Sequence, residues 1–257
     1  MPFDLFPDQL PDWIAFTLVG TAFFTSAFNA TFGLGGGVTL LAAMAQALPV
    51  PALVPIHGTA QLGSNVSRAF VFRRHIEWRA VGMMTAGAVI GIALGGSLVV
   101  TLPEGVLKLG LAGFILWTVF GAKPKLNAHG SRIVLFLGGL AASFATMFFG
   151  ATGPLVMAVL ATRGMERHRL IATHAATMSI QHGCKTIAFT ILGFAFLPWL
   201  PFILMLVTAA TLGTRAGKSL FEFMPDRWFA VGFKIVMLVL ALETALDGVR
   251  DILHGED

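Results

Sequence analysis

Charge is scarce in this chain. Only 12% of its 257 residues are Asp, Glu, Lys or Arg, against about 25% in a soluble domain. None occurs between Trp13 and Ser67, Ala80 and Pro103, Ile133 and Thr162, or Thr186 and Thr214. One helical crossing of a bilayer takes roughly 20 apolar residues, so the first of these stretches alone has room for more than two. The gaps exclude a soluble domain and predict an all-α integral membrane protein that crosses the lipid several times. Cysteine is nearly absent as well. Cys184 stands alone, which excludes an internal disulfide or a dithiol relay and leaves an inert, buried thiol. Acidic residues are almost missing from the predicted spans, which argues against a carboxylate cation site or an aspartyl protease.

Catalytic constellations are missing too. The chain has no His-Glu-x-x-His, no serine elbow, no phosphate-binding Gly-x-x-x-x-Gly-Lys-Ser/Thr and no Cys–His metal cluster. We therefore expect no enzyme, no cofactor and no metal. The opening twelve residues carry Asp4, Asp8 and Asp12 without Lys or Arg, so they do not read as a signal peptide, which needs a positive start. The formal net charge is +4, but no aromatic–basic cluster interrupts the apolar runs, so nucleic acid is not an expected partner. The basic residues instead mark cytoplasmic loops: Arg73, Arg74 and Arg79; Lys123, Lys125 and Arg132; Arg163, Arg167 and Arg169; and Arg227. That bias puts both termini in the periplasm, with the bilayer as the protein's surroundings.

What is present is a duplication. Phe32-Gly33 is answered by Phe149-Gly150, His57 by His174 and Arg68 by Lys185, each 117 residues on. Gly91, Gly95, Ser97, Leu98, Pro103 and Glu104 are answered by Gly213, Gly217, Ser219, Leu220, Pro225 and Asp226, each 122 residues on. Residues 1–122 and 132–257 form two membrane repeats, with 123–131 as a cytoplasmic linker. In the first repeat the connection before His57 (Leu48 to Pro55) is uncharged and the one after Arg68 is basic. In the second the order is reversed, basic before His174 and uncharged from Thr190 to Leu200. Equivalent loops then lie on opposite sides, so the repeats are inverted, the construction of many secondary transporters. A parallel duplication would place the basic loops alike.

Hydropathy and the Gly/Pro breaks predict five helical segments per repeat: 13–30, 36–48, 54–72, 80–101 and 105–121, then 132–149, 153–162, 170–190, 199–221 and 228–247. One segment in each repeat is too short to cross. Val38 to Leu48 and Leu155 to Thr162 rise only about 16 and 12 Å at 1.5 Å per residue.

Gly35, Gly36 and Gly37 precede the first short helix, and Thr152 and Gly153 the second. Bare backbone and a helix N-terminus together favour an anion, although such glycines also serve tight turns and close helix contacts. His57, Gln61, Asn65 and Arg68 are spaced by four, four and three, one face of a helix. His174, Gln181, His182 and Lys185, with Met178, occupy the equivalent face. A polar stripe in an apolar span should face the interior. It either lines a transport path or bonds neighbouring helices. Arg68 and Lys185, with no acid in their own spans, either attract an anion at the two entrances or snorkel to the interface. The two histidines are candidates for proton relay or for packing. Gly91-x-x-x-Gly95 and Gly213-x-x-x-Gly217 read as helix-packing faces.

The run Phe28-Asn29-Ala30-Thr31-Phe32-Gly33-Leu34-Gly35-Gly36-Gly37, then His57-Gly58-Thr59, Asn65-x-x-Arg68 and the late Gly213-x-x-x-Gly217 with Pro225, resembles the TauE/SafE sulfite exporter family over about residues 15 to 245. The second copy departs from it, reading Gly150-Ala151-Thr152-Gly153-Pro154 without a triple glycine. The resemblance implies a bacterial inner-membrane carrier for sulfite, a sulfonate such as sulfoacetate, or thiosulfate. An anion channel of the same fold, or an intramembrane enzyme or assembly factor, is the alternative. A coupling proton or ion and a homodimeric assembly stay open at this point.

Overall fold

The computed structural model describes residues 6–7, 10–32, 35–121, 130–221 and 226–254. Among them are ten α-helices and no strand: α1 Asp12–Phe32, α2 Gly36–Ala45, α3 Val50–Val71, α4 Trp78–Val99, α5 Glu104–Phe120, α6 Arg132–Phe149, α7 Gly153–Ala161, α8 Arg167–Ile191, α9 Leu200–Phe221 and α10 Asp226–His254. Single 3₁₀ turns at Arg73–His75 and Leu197–Trp199 complete the connections. Of the predicted features, Gly33 of the repeat match, Pro225, and the linker apart from Gly130 and Ser131 lie outside the described residues.

Among the described residues, four helical stretches are long and apolar enough to cross a membrane: Asp12–Ala30, Trp78–Val99, Arg132–Phe149 and Leu197–Gly217. Their outward faces carry exposed large apolar side chains, such as Phe16, Leu94, Ile133 and Leu204, as a lipid-facing surface requires. α3 and α8 are as long, with 22 and 25 residues. Their mean hydropathy is diluted by the polar stripes, which are buried. α2 and α7 have 10 and 9 residues, about 15 and 14 Å, roughly half of a 30 Å hydrocarbon core.

Local chemistry sets these boundaries. Ser131 Oγ accepts from the Val134 amide at 3.3 Å and caps α6. α1 and α5 each begin on an acid, Asp12 and Glu104, which suits the positive end of a helix. Ahead of the short helices the backbone turns at Gly35 (φ 101°) and Gly150 (φ 73°), a region L side chains rarely adopt.

Two expected boundaries move. α3 starts at Val50, so most of the segment expected to connect it to α2 is helical. Pro51 falls in its first turn, where a missing N–H costs nothing, and Pro55 lies inside the helix. α10 runs on to His254, past Glu243, which is exposed in mid-helix rather than near an end. Its last turns are held to α5, where Lys108 Nζ meets Asp251 Oδ2 at 2.6 Å and Gly105 and Gly248 bring the backbones together.

The halves of the chain are interlocked. α4 packs on α6, α1 on α9, α3 on α8 and α5 on α10, each pair joining one helix from each half. A side chain on Gly87 or Gly91 would collide with the Phe136 or Leu140 carbonyl, and one on Gly213 or Gly217 with the Phe23 or Ala27 carbonyl. The Gly-x-x-x-Gly faces are therefore packing faces. Lipid is as apolar as a leucine, so helix association in a membrane depends on such close backbone fit. The successive contacts show that α4 and α6 run parallel, as do α1 and α9. In α3 and α8 the register descends as it rises: Thr59 bonds Thr186, and three residues further along α3 Leu62 faces Gly183, three residues back along α8. That pair is antiparallel, and so are α5 and α10.

Candidate functional site

The polar stripes of α3 and α8 face each other in the middle of this arrangement. His57, Gln61, Ser64, Asn65 and Arg68 on α3 are buried, as are His174, Met178, Gln181, His182 and Lys185 on α8. The spacing of four, four and three on α3 predicts an inward face, and the structure puts it there. Between the stripes is a cavity with about 40 Å³ of room for the centres of water-sized spheres. A single water needs about 10–15 Å³ on that measure, so the space suits a small ion.

The first turns of both short helices reach this one cavity. Gly35, Gly37 and Val38 line it from α2, and Ala151, Gly153 and Pro154 from α7. First-turn amides have no acceptor within their own helix, which makes such ends suited to an anion. Pro154 has no amide hydrogen, so α7 offers fewer donors than α2. The histidines hold the two starts in place. His57 Nε2 is 2.9 Å from the Gly37 carbonyl oxygen, and His174 Nε2 is 3.1 Å from that of Gly153.

The predicted site residues separate into two groups. Gly35, Gly37, His57, Gln61, Asn65, Arg68, Gly153, His174 and His182 line the cavity. Gly36, Thr152, Gln181 and Lys185 stand behind the wall. Gly36 allows α2 to approach α1, because a side chain there would strike the Thr25 carbonyl. Gln181 Nε2 donates to Thr152 Oγ1 at 3.0 Å, which fixes the segment leading into α7. Lys185 Nζ donates to the Gly150 carbonyl oxygen at 3.0 Å. Asn29 on α1, which the sequence reading did not name as a site residue, also lines the cavity, as does Met178 of the α8 face. Asn29 is a polar residue near the end of an otherwise apolar helix stretch and stands four residues before Gly33, a signal that was available in the sequence.

The family model described as Sulfite exporter TauE/SafE matches residues 18–244. The chain belongs to that family. No curated protein and no solved structure matches it. Membership makes this an integral membrane protein of a sulfur-anion exporter family, a family of transporters rather than enzymes.

For a TauE/SafE protein the electrostatics of the cavity are informative. Arg68 is 6% exposed and Lys185 fully buried, so neither sits at an entrance or snorkels to the surface. They occupy the interior because α3 and α8 pack side by side along their polar faces. Arg68 Nη2 donates to Asn65 Oδ1 at 3.3 Å, while Asn65 Nδ2 donates to the Gln61 carbonyl oxygen at 2.8 Å. Arg68 Nε has no partner. Among the described residues, the carboxylates that form ion pairs do so elsewhere, as Glu77 with Arg163 (2.7 Å) and Asp251 with Lys108. No Asp or Glu lines the cavity. The described residues also include no group of three His, Cys, Asp or Glu arranged to hold a metal ion.

Proposed function

We propose that this TauE/SafE protein is a secondary transporter that binds a small sulfur oxyanion in the central cavity and exposes it alternately to the two sides of a bacterial inner membrane. The observation that carries this reading is Arg68, buried on the cavity wall with Nε unpaired and no carboxylate partner among the described residues. Removing a charge from water costs several kcal/mol even after relaxation. A buried cation left without a counter-charge is therefore a standing penalty that an entering anion relieves. At about 4 Å and an effective dielectric constant near 20, the attraction is on the order of 4 kcal/mol. Lys185 adds a second positive charge one layer back.

The inverted-repeat reading draws support from the antiparallel runs of α3 with α8 and of α5 with α10. Each of these pairs joins helices at the same position in the two halves. In this reading both termini are periplasmic, 123–131 is cytoplasmic, and the two half-helices contribute their first turns from opposite directions.

A carrier is favoured over an open channel by what lies beside the cavity. Three residues before His57, Val54 packs with Met147 and Phe189 in an apolar cluster. Beyond them is a larger apolar cavity of about 450 Å³, reaching Pro51, Leu107 and Phe194. In this reading the cluster acts as the closed gate on that side.

Uptake of labelled sulfite into vesicles, comparing the parent with Arg68→Gln at matched expression, tests the proposal. Transport should fall at least tenfold. Unchanged transport would overturn the site. Arg68 is a better target than Gly36, whose replacement would disturb the contact with α1 whatever the function.

A further inference from the structure

We infer that the anion is bound in this cavity together with a proton, shared between an anion oxygen and the Nδ1 of His57 or His174. The inference rests on the reading of the cavity as an anion site and names what accompanies the anion.

A carbonyl oxygen only accepts hydrogen bonds. Nε2 must therefore carry the hydrogen in both His57 and His174, bonded as they are to Gly37 and Gly153. In a neutral ring that leaves Nδ1 as a bare acceptor. Neither Nδ1 has a partner, and neither does Nδ1 of His182, whose ring lies 6.4 Å from that of His57 between centroids. The three side chains are 0%, 5% and 1% exposed, and all line the cavity.

The arrangement occurs once in each half: a histidine tied by Nε2 to the first turn of a short helix, with Nδ1 left open. A packing histidine needs the first bond but gives no reason for the second nitrogen to go unpaired, twice, beside the same small cavity. A water that reached these nitrogens would donate to them. An anion displaces that water and brings only lone pairs. Each acceptor left unsatisfied then costs about 1–3 kcal/mol, and the repulsion between facing lone pairs adds to it.

One proton removes the conflict in either of two ways. Carried by the anion, it is an O–H that donates to Nδ1. Carried by the ring, it is an Nδ1–H that donates to the oxyanion. Both have the same composition, the anion plus one proton drawn from solvent.

Apart from His182, whose Nδ1 is also unpaired, no other group on the wall takes up that role. Arg68 is a permanent donor, and Lys185 stands behind the wall with its ammonium on the Gly150 carbonyl. α1, α2 and α7 contribute Asn29, Val38, Ala151, Pro154 and glycine backbone, none of them titratable. The proton therefore resides with the histidines, and the anion and the proton travel in the same direction.

Calorimetry of sulfite binding to the purified full-length protein tests this. The titration is run in mildly alkaline solution, where the free anion is mostly unprotonated, in two buffers of different ionisation heat. The binding heat should depend on the buffer in the sense of proton uptake. The double variant His57→Gln, His174→Gln keeps an amide nitrogen able to reach each glycine carbonyl but has nothing at the Nδ1 position. It should lose the buffer dependence and bind sulfite at least tenfold more weakly. Binding heat in the parent that is independent of buffer overturns the inference even if the variant does not fold, and so does a folded variant that still takes up the proton. Absence of any sulfite binding in the parent would instead overturn the anion-site reading beneath it.

Discussion

Gly58 of α3 and Lys185 of α8 occupy the same space: a side chain on Gly58 would have to enter the volume filled by the lysine Cε. The lysine can therefore cross toward the Gly150 carbonyl only because position 58 is bare. Gly58→Ala should push the ammonium off that carbonyl and weaken sulfite binding about tenfold, a loss near 1.4 kcal/mol. Lys185→Met should also weaken binding, yet it should be as stable as the parent or more so, because an apolar chain of similar length replaces an uncompensated buried charge. In the double variant the two losses should not add, since each acts through the same contact. Binding titrations and thermal unfolding of the four proteins in detergent check all three points.

The helix-packing glycines give a prediction about folding rather than transport. Gly91→Val and Gly213→Val each force a side chain into a carbonyl of the neighbouring helix, Leu140 and Phe23 respectively. Backbone cannot move aside as a flexible side chain can, so each should cost about 3 kcal/mol or more. Yield and melting temperature should drop together. Gly113→Ala, with nothing within 4 Å of the added carbon, should stay within about 1 kcal/mol of the parent and gain slightly in helix propensity.

Phe189 closes the apolar cluster with Val54 and Met147. Phe189→Ala should join the polar cavity to the larger apolar one and turn a saturable carrier into a leak. Sulfite flux in vesicles should then rise in proportion to concentration without reaching a plateau. A flux that still saturates would mean that the barrier lies elsewhere.

Sidedness can be read directly. Cysteines introduced at Pro51 and Phe194 in a Cys184→Ser background should react with an impermeant thiol reagent added from the periplasm. Cysteines at Arg74 and Arg163 should react only from the cytosol. Reaction of position 51 or 194 from the cytosol alone would remove the inverted topology.

Much of this architecture was legible in the residues because membrane physics is strict. Charge-free runs, Gly/Pro punctuation and loop arginines place ten helices, most of them within a few residues of where they lie. The spacing from His57 to Arg68 marks the inward face of α3. What was hidden depends on partners distant in the chain. Proline at position 51 looks like a break, yet it is compatible with the start of α3 because a first turn lacks amide acceptors anyway. The extension of α10 depends on Lys108 and on the approach of Gly105 to Gly248, which no local pattern announces. Arg68 and Lys185 look close to helix ends, and only the pairing of α3 with α8 shows them buried. In the same way, nothing in a run of glycines tells that Gly35 and Gly37 border the cavity while Gly36 is spent on contact with α1.

The glycine seams run between the two halves of the chain rather than within either. α4 is fitted backbone to backbone against α6, and α9 against α1, so each copy lends an outer helix to its sibling. The two halves of the chain are thus not the units that can swing as solid pieces. Any rocking motion has to carry α4 with α6 on one side and α1 with α9 on the other, pivoting where α3 meets α8. A chain severed between residues 121 and 130 would leave two fragments, each missing a wall that only the other supplies, and they should regain shape only when made together.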